Sequence, residues 1–291
     1  MSSELELYET FHPNEVSINK FDNLIGIDSQ KNTLLNTLNL LLNTKSIEVW
    51  KKKHHPRGLS FFDNYAKDPL IILSGEVGCG KTELANSIAS PLAKKLDIII
   101  KTYETPSNIR GSGRVGEISS RITEAFNIIK SKVVNDKLGI LIIDEGDDLA
   151  TSRSQNQAHH EDRAGLNVLI KQLDLLKKEK KKIVVILITN RENVLDPAFY
   201  RRATLHLKFE RPNRENREKI FKHIFQNIKL NDSILKELLS SSEKNPPYTY
   251  SDLIQKIGTQ ALFKAIELNK PFSPEIYLDV LLKTEASPLI V

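Results

Sequence analysis

The 291-residue sequence contains a single cysteine, Cys79, and no apolar run that reaches the roughly 18 residues needed to span a bilayer. One cysteine excludes an internal disulfide and is typical of a reducing compartment. The first six residues are acidic, unlike the basic start of a signal peptide. These absences argue against membrane and disulfide-stabilised classes, and we expect a cytoplasmic protein.

Charge is unevenly distributed. The net charge is +5, and much of the excess lies in the lysine-rich segment 177–182. Such a run can contact nucleic acid. It can equally form the solvated end of a helix that precedes a buried strand, which is the interpretation we favour. A nucleic-acid partner is therefore not expected.

Apolar runs alternate with helical patterns along most of the chain. The runs are Leu70–Leu73, Ile98–Ile100, Ile140–Ile143, Ile183–Ile188 and Leu205–Phe209. Continuous rather than alternating apolar residues indicate strands buried on both faces. The pattern predicts a doubly wound α/β domain with a parallel five-stranded sheet. One helix is predicted from Asp28 until residues 54–58 end it.

Beyond residue 211 the strand signal stops. Helices are predicted at 214–227, 232–241, 250–268 and 274–283. We therefore predict three parts: an N-terminal arm over residues 1–20, a large α/β domain over 21–211, and a small all-helical lid domain over 212–291.

A glycine-rich segment follows the first apolar run. Its pattern, Gly-x-x-Gly-x-Gly-Lys-Thr over 75–82, matches the Walker A phosphate loop. Glycines let successive backbone N–H groups surround phosphate oxygens, and the following helix points its positive end at them. We expect Lys81 to reach the β- and γ-phosphates of ATP and Thr82 to bind Mg²⁺. The predicted nucleotide contacts here are Gly75, Glu76, Val77, Gly78, Cys79, Gly80, Lys81, Thr82 and Glu83.

Two acidic residues, Asp144 and Glu145, directly follow the apolar run at 140–143. Ligands bind at the carboxyl ends of strands in open α/β sheets. Asp144 is therefore predicted to hold Mg²⁺, mostly through water, and Glu145 to polarise the attacking water. A solvated acidic turn is the alternative, but the upstream phosphate loop favours the catalytic interpretation.

Polar residues also follow the run at 183–188. Asn190 is predicted to reach the γ-phosphate or to orient the water, although a turn-forming asparagine gives the same pattern. Arg201 and Arg202 stand just before the last strand, where they suit a subunit edge and a neighbour's γ-phosphate. Arg202 is the preferred finger, and a surface basic pair is the alternative.

Together these motifs resemble the AAA+ ATPases over nearly the whole chain from Phe21. The resemblance implies a ring, usually a hexamer, with ATP between neighbours. It places Ile25 and Gly26 beside the adenine, identifies Asn190 as sensor 1, and assigns the arginine pair to the finger region.

Shorter motifs at 109–117, 159–165 and 248–253 resemble those of the bacterial relatives of the pachytene-checkpoint ATPase, the thyroid-receptor-interactor type. Those enzymes remodel HORMA-domain proteins, and bacterial members accompany nucleotidyltransferases of cyclic-oligonucleotide anti-phage defence. The resemblance implies pore-loop contacts to the partner. These are Arg110, Arg114, Val115, His159 and Arg163.

The sequence departs from the family in three places. The first pore loop has no aromatic residue, the lid lacks a clear sensor 2 arginine at Ser251–Asp252, and the arm is too short for a separate adaptor-binding domain. A different class, a nucleic-acid-associated AAA+ switch such as a helicase loader, is the rival interpretation. Its support is the basic excess and the lysine run. A DNA-tracking surface would show basic residues interleaved with aromatics or a recognition helix, and neither the pore loops nor the lid provide one.

Overall fold

A computed structural model describes residues 5–60, 67–106, 109, 116–134, 137–146 and 160–289. The strands are β1 (Tyr8–His12), β2 (Leu70–Gly75), β3 (Ile100–Glu104), β4 (Leu138–Ile143), β5 (Ile183–Thr189) and β6 (Ala203–Phe209). The helices are α1 (Glu15–Asp22), α2 (Asp28–Leu42), α3 (Thr44–His54), α4 (Lys81–Ser87), α5 (Ala89–Leu96), α6 (Glu117–Lys132), α7 (His160–Lys178), α8 (Pro197–Arg202), α9 (Arg214–Ile224), α10 (Asp232–Ser241), α11 (Gly258–Glu267) and α12 (Pro274–Lys283). A π-helical turn, Asp252–Ile257, precedes α11.

The strands form one six-stranded sheet in the order β1-β3-β4-β5-β2-β6. Strands β3, β4, β5 and β2 are parallel to one another, as the continuous apolar runs predicted. The sequence predicted only five strands. The sixth, β1, comes from the N-terminal arm and pairs with β3 in the antiparallel sense. An edge strand is buried on fewer sides than a central one, so it carries a weak apolar signal.

Two other segments differ from the sequence prediction. The third strand begins at Ile100 rather than Ile98, and Ile99 is 69% exposed. The cause is Asp97, which caps α5 in the left-handed conformation and turns the chain before the strand. The helix predicted from Asp28 is split at Asn43, whose side chain accepts a hydrogen bond from the Ser46 amide and starts α3.

Buried apolar residues lie on both faces of the sheet. Alternate residues of β2, β4 and β5 pack with α6 and α7 in one buried cluster. The intervening residues, such as Ile71 and Ile186, are also fully buried, so the opposite face is covered too. Gly165 in α7 allows close packing, because a Cβ there would lie 2.6 Å from Ile118 of α6. The α/β class predicted from the sequence is confirmed.

The chain divides into two compact units. The first comprises residues 1–21, 30–74 and 82–208, and the second comprises residues 22–29, 75–81 and 209–291. Among the described residues after Phe209, only helices occur, at nearly the predicted positions. An aromatic cluster of Phe221, Phe225 and Tyr277 packs α9 against α12. The predicted domain boundaries stay predictions.

No helix in the described ranges is both long and apolar enough to cross a membrane.

Candidate nucleotide-binding site

The phosphate loop lies in the second unit, where its backbone follows a path that requires glycine. Gly75 has φ +122°, and a Cβ at this position would lie 2.0 Å from the carbonyl oxygen of Phe209. The Glu76 amide donates to that same oxygen at 3.1 Å. Gly78 has φ +72°, and its Cβ would press on Thr249 and Ser251 at 3.0 Å. Left-handed φ values and close backbone neighbours together exclude larger residues here.

Lys81 begins α4 and is only 4% exposed. Its ammonium donates to the carbonyl oxygens of Gly75 and Glu76, each at 2.7 Å. These bonds hold the side chain folded back along the loop. Because a phosphate oxygen carries charge and these carbonyls do not, phosphate is the stronger acceptor for this ammonium.

In the first unit, the two predicted Mg²⁺ ligands meet. The Thr82 hydroxyl donates to Oδ2 of Asp144 at 2.8 Å. Hard oxygen ligands with few protein carboxylates are what Mg²⁺ prefers, since it keeps several waters and shares phosphate oxygens. Within the described residues there is no cluster of three or more His, Cys, Asp or Glu that suits a metal. The donor set therefore fits Mg²⁺ held jointly with a nucleotide.

Glu145 directly follows Asp144 in a left-handed turn, with φ +53°. Its amide donates to Oδ1 of Asp144 at 2.8 Å, and the next amide, of Gly146, donates to the Ile188 carbonyl at 2.7 Å. The turn ends the strand alternation and leaves Glu145 exposed. The carboxylates of Asp144 and Glu145 can therefore contact different groups. The left-handed backbone conformation of Glu145 has a small energetic cost.

The carboxyl ends of three strands lie side by side. Ser74 pairs with Thr189, which joins the ends of β2 and β5, and Ile143 pairs with Leu187, which joins β4 to β5. Asn190 follows β5 at this edge and is half-buried. The strand before Asn190 therefore neighbours the strand that leads into the phosphate loop. The catalytic role of Asn190 stays a prediction.

The two candidate finger arginines end α8 and differ in their contacts. Arg202 forms a bidentate ion pair with Asp174 of α7, at 3.0 and 3.2 Å, and this pairing raises the pKa of its guanidinium. Arg201 is exposed, and its guanidinium has no hydrogen-bonding partner in the described part of the chain. Arg202 would have to release Asp174 before it could act as a finger, and the finger role of either arginine stays a prediction.

The segment predicted to flank adenine belongs to the second unit. The Gly26 carbonyl accepts a hydrogen bond from the Tyr250 hydroxyl at 3.0 Å, and that hydroxyl accepts from Asn216 at 3.2 Å. Ile25 is half-buried.

Burial raises the pKa of the Cys79 thiol to about 11, so it stays protonated. Cys79 therefore fills space in the loop and is not a nucleophile.

The remaining predicted contacts divide into three groups. Val77 is exposed on the phosphate loop, and Glu83 forms an ion pair with Lys20 at 3.0 Å. Arg163 lies in the first turns of α7, and its side chain falls outside the described part of the structure. Arg110, Arg114, Val115 and His159 lie outside the described residues. The pore-loop roles stay predictions.

Sequence reasoning missed Arg211. Its side chain is 6% exposed and donates to Glu76 of the phosphate loop at 3.1 Å. It also donates to the carbonyls of Pro247, Ser287 and Pro288. The C-terminal segment after α12 is thus tied to the phosphate loop. No motif signals this role, because the partners are distant in sequence and three of them are backbone groups.

The lid turn at 249–252 also contacts the phosphate loop, without an arginine. The Ser251 amide donates to the Gly78 carbonyl at 3.0 Å. Asp252 accepts from the Thr249 amide at 2.9 Å and from the Ser287 hydroxyl at 2.6 Å. Among the described residues, then, the position expected for sensor 2 makes backbone contacts to the loop.

The sheet order, the phosphate loop and the Thr82–Asp144 pair define a P-loop nucleotide-binding ATPase. A family model described as "ATPase family associated with various cellular activities (AAA)" matches residues 71–211. The chain belongs to this family, and it is an ATPase that binds nucleotide.

One named protein and two solved structures are similar to this chain over most of its length. CD-NTase-associated protein 6 from Escherichia coli strain MS 115-1 is 36% identical over 275 residues, which cover 90% of this chain and 87% of that protein. A chain in the solved structure of the E. coli MS115-1 HORMA:CdnC:Trip13 complex has a TM-score of 0.91 and 34% identity, covering 99% of this chain and 98% of its own length. The structure of Rhizobiales Trip13 has a TM-score of 0.75 and 27% identity, over 97% and 98% of the two chains.

Proposed function

We propose that this ATPase forms a ring that uses ATP hydrolysis to unfold or disassemble a HORMA-domain protein in bacterial anti-phage signalling. The observation that carries this proposal is the close match, over 99% of the chain, to a chain of a HORMA:CdnC:Trip13 complex. The names of the relatives reported above do not point to the rival, a nucleic-acid-associated switch. The cytoplasmic location stays a prediction from the sequence.

The proposed chemistry uses the residues at the strand ends. The loop amides and Lys81 would hold the phosphates, while Thr82 and Asp144 would hold Mg²⁺, which would supply charge neutralisation for the transferred phosphoryl group. Glu145 accepts a proton from the attacking water, and Asn190 orients that water. The exposed position of Glu145 leaves its carboxylate free for this task.

We further propose that the subunits assemble as a hexamer. An arginine from one subunit then completes the site of its neighbour, and Arg201 is the better candidate because its guanidinium is exposed. Pore residues Arg110, Arg114, Val115, His159 and Arg163 grip the partner. Without an aromatic wedge, the grip relies on hydrogen bonds of about 0.5–1.5 kcal/mol each, and it is then distributed and insensitive to partner sequence.

The test is the ATPase rate against added HORMA-domain protein, run in parallel with single-stranded and duplex DNA. We expect stimulation by the protein and none by DNA. The double variant Arg110→Ala/Val115→Asp should keep the basal rate and lose the stimulation. Stimulation by DNA but by no HORMA-domain protein would overturn the proposal in favour of the loader.

A further inference from the structure

Two adjoining cavities open on the first unit. One, of about 630 Å³, is lined by apolar residues of α2 and α3, including Leu40 and Trp50. The other, of about 400 Å³, is lined largely by lysines. The cavities share Leu41, Ile47 and Lys67, so they form one continuous surface. We call this surface the basal cleft.

The basal cleft lies at the opposite end of the strands from the Thr82–Asp144 pair. Pro69, Lys182 and Ile183 line it, and these residues stand at the amino ends of β2 and β5. Asn190 follows the carboxyl end of β5. A seven-residue strand is about 20 Å long, so the cleft is a separate site.

The charge of the basal cleft is strongly unbalanced. Among the residues that the structure describes, six lysines line it, namely Lys51, Lys67, Lys177, Lys180, Lys181 and Lys182, against one carboxylate, Glu48. Asp68 nearby pairs with Lys177 at 2.9 Å. These lysines come from three separate segments, so the fold and not the local run brings them together. A concave surface with one sign of charge concentrates the counter-ion, which here is an anion.

The apolar part of the basal cleft contains the only tryptophan of the chain. Trp50 is 48% exposed, and the rings of His54 and His55 lie 5.7 and 5.0 Å from it. A large exposed indole beside an apolar cavity presents a flat surface on which another aromatic ring can stack. Base–aromatic stacking contributes about 1–3 kcal/mol per base in proteins that bind single strands.

We propose that the basal cleft is a second nucleotide-binding site, in which a base packs against Trp50 and its phosphates contact the lysines. The ligand is a nucleoside polyphosphate or a short single-stranded oligonucleotide. An acidic protein segment fits less well, because its backbone N–H groups need acceptors and lysines are donors only. A flat ring linked to phosphates matches both halves of the cleft at once.

The experiment uses the full chain with Lys81→Ala, so that nucleotide at the phosphate loop does not obscure binding elsewhere. The single tryptophan reports directly on the cleft by its fluorescence. The probes are ATP, a ten-nucleotide deoxythymidine strand, tripolyphosphate and a polyglutamate peptide. Calorimetry provides an affinity that is independent of fluorescence, and it allows Trp50→Leu to be tested as well.

The expected result is binding of ATP or the strand, with tripolyphosphate weaker because it has no base. Preference for ATP identifies a free nucleotide as the ligand, and preference for the strand identifies an oligonucleotide. For the strand, log affinity should fall with log salt with a slope of about −2, as expected for three phosphate contacts. Trp50→Leu should weaken ATP or strand binding by at least about fivefold, the lower end of the stacking contribution.

Charge reversal tests the lysines. Lys180→Glu/Lys181→Glu should lower the affinity at least tenfold. The matched control, Lys94→Glu/Lys95→Glu on α5, reverses two exposed lysines outside the cleft and should change affinity less than twofold. In the otherwise unaltered chain, Lys180→Glu/Lys181→Glu should keep the basal ATPase rate. The proposal would be overturned if the cleft variant and the control variant lost affinity equally. It would also be overturned if polyglutamate bound more tightly than ATP and the strand, or if no probe bound.

Discussion

Replacing Arg211 by alanine is the sharpest test of how the second unit supports the phosphate loop. The guanidinium is 6% exposed and bridges Glu76 to three backbone carbonyls. Removing it leaves Glu76 and the Ser287 carbonyl, both partly buried, without this donor, whereas the exposed carbonyls of Pro247 and Pro288 can regain water. Breaking a buried ion pair costs about 3–5 kcal/mol. Because Glu76 is partly exposed and regains water, we expect a loss near the lower end, about 3 kcal/mol.

The same change should weaken nucleotide binding. Glu76 lies within the phosphate loop, and without Arg211 its side chain is no longer fixed to the C-terminal segment. In the Arg211→Ala variant the phosphate loop must become ordered when the nucleotide binds. We expect this to weaken binding by about 1 kcal/mol, or about fivefold in Kd. Urea unfolding measures the first effect, and calorimetric titration with ATP measures the second.

Arg214→Ala is the matched control. Arg214 also pairs with a glutamate of the second unit, Glu243, but more than half of its side chain is exposed. An exposed pair contributes about 0–1 kcal/mol. If Arg211→Ala loses no more stability than Arg214→Ala and binds ATP with unchanged Kd, the role assigned to Arg211 is wrong.

Three further predictions concern hydrolysis, assembly and pH. Glu145→Gln should bind ATP normally and hydrolyse it about 10²–10⁴ times more slowly, and a parental rate in a phosphate-release assay would contradict its role as base. Mixing Arg201→Ala subunits with Glu145→Gln subunits should restore part of the activity, whereas Arg202→Ala subunits should stay active on their own; rings of confirmed mass without any rescue would exclude a finger from the neighbour. Burial lowers the pKa of His12 to about 4, below the ordinary 6.5, so the unfolded chain binds this proton more readily and stability should fall as pH drops from about 6.5 to 4. Unfolding at pH 7 and pH 5 tests this, since His12→Gln should show a shallower pH dependence.

The sequence alone determined the elements whose signals are local. Continuous apolar runs predict buried parallel strands because both faces of each strand lose water at once. The Gly-x-x-Gly-x-Gly-Lys-Thr pattern predicts the phosphate loop because its backbone path admits few other residues, as the 2.0 Å approach of a Cβ at Gly75 to Phe209 illustrates. The helices after Phe209 follow from their own periodicity and caps.

The tertiary structure decided what depends on residues distant in the chain. β1 carries a weak pattern and becomes a strand because the edge of β3 offers it hydrogen bonds. The ion pair of Arg202 depends on Asp174, which lies 28 residues away along the chain. Arg211 reaches a loop 135 residues away, and its partners include backbone groups that any sequence supplies. Long-range hydrogen bonds and ion pairs of this kind leave no period in the sequence, because only the folded chain brings the two partners together.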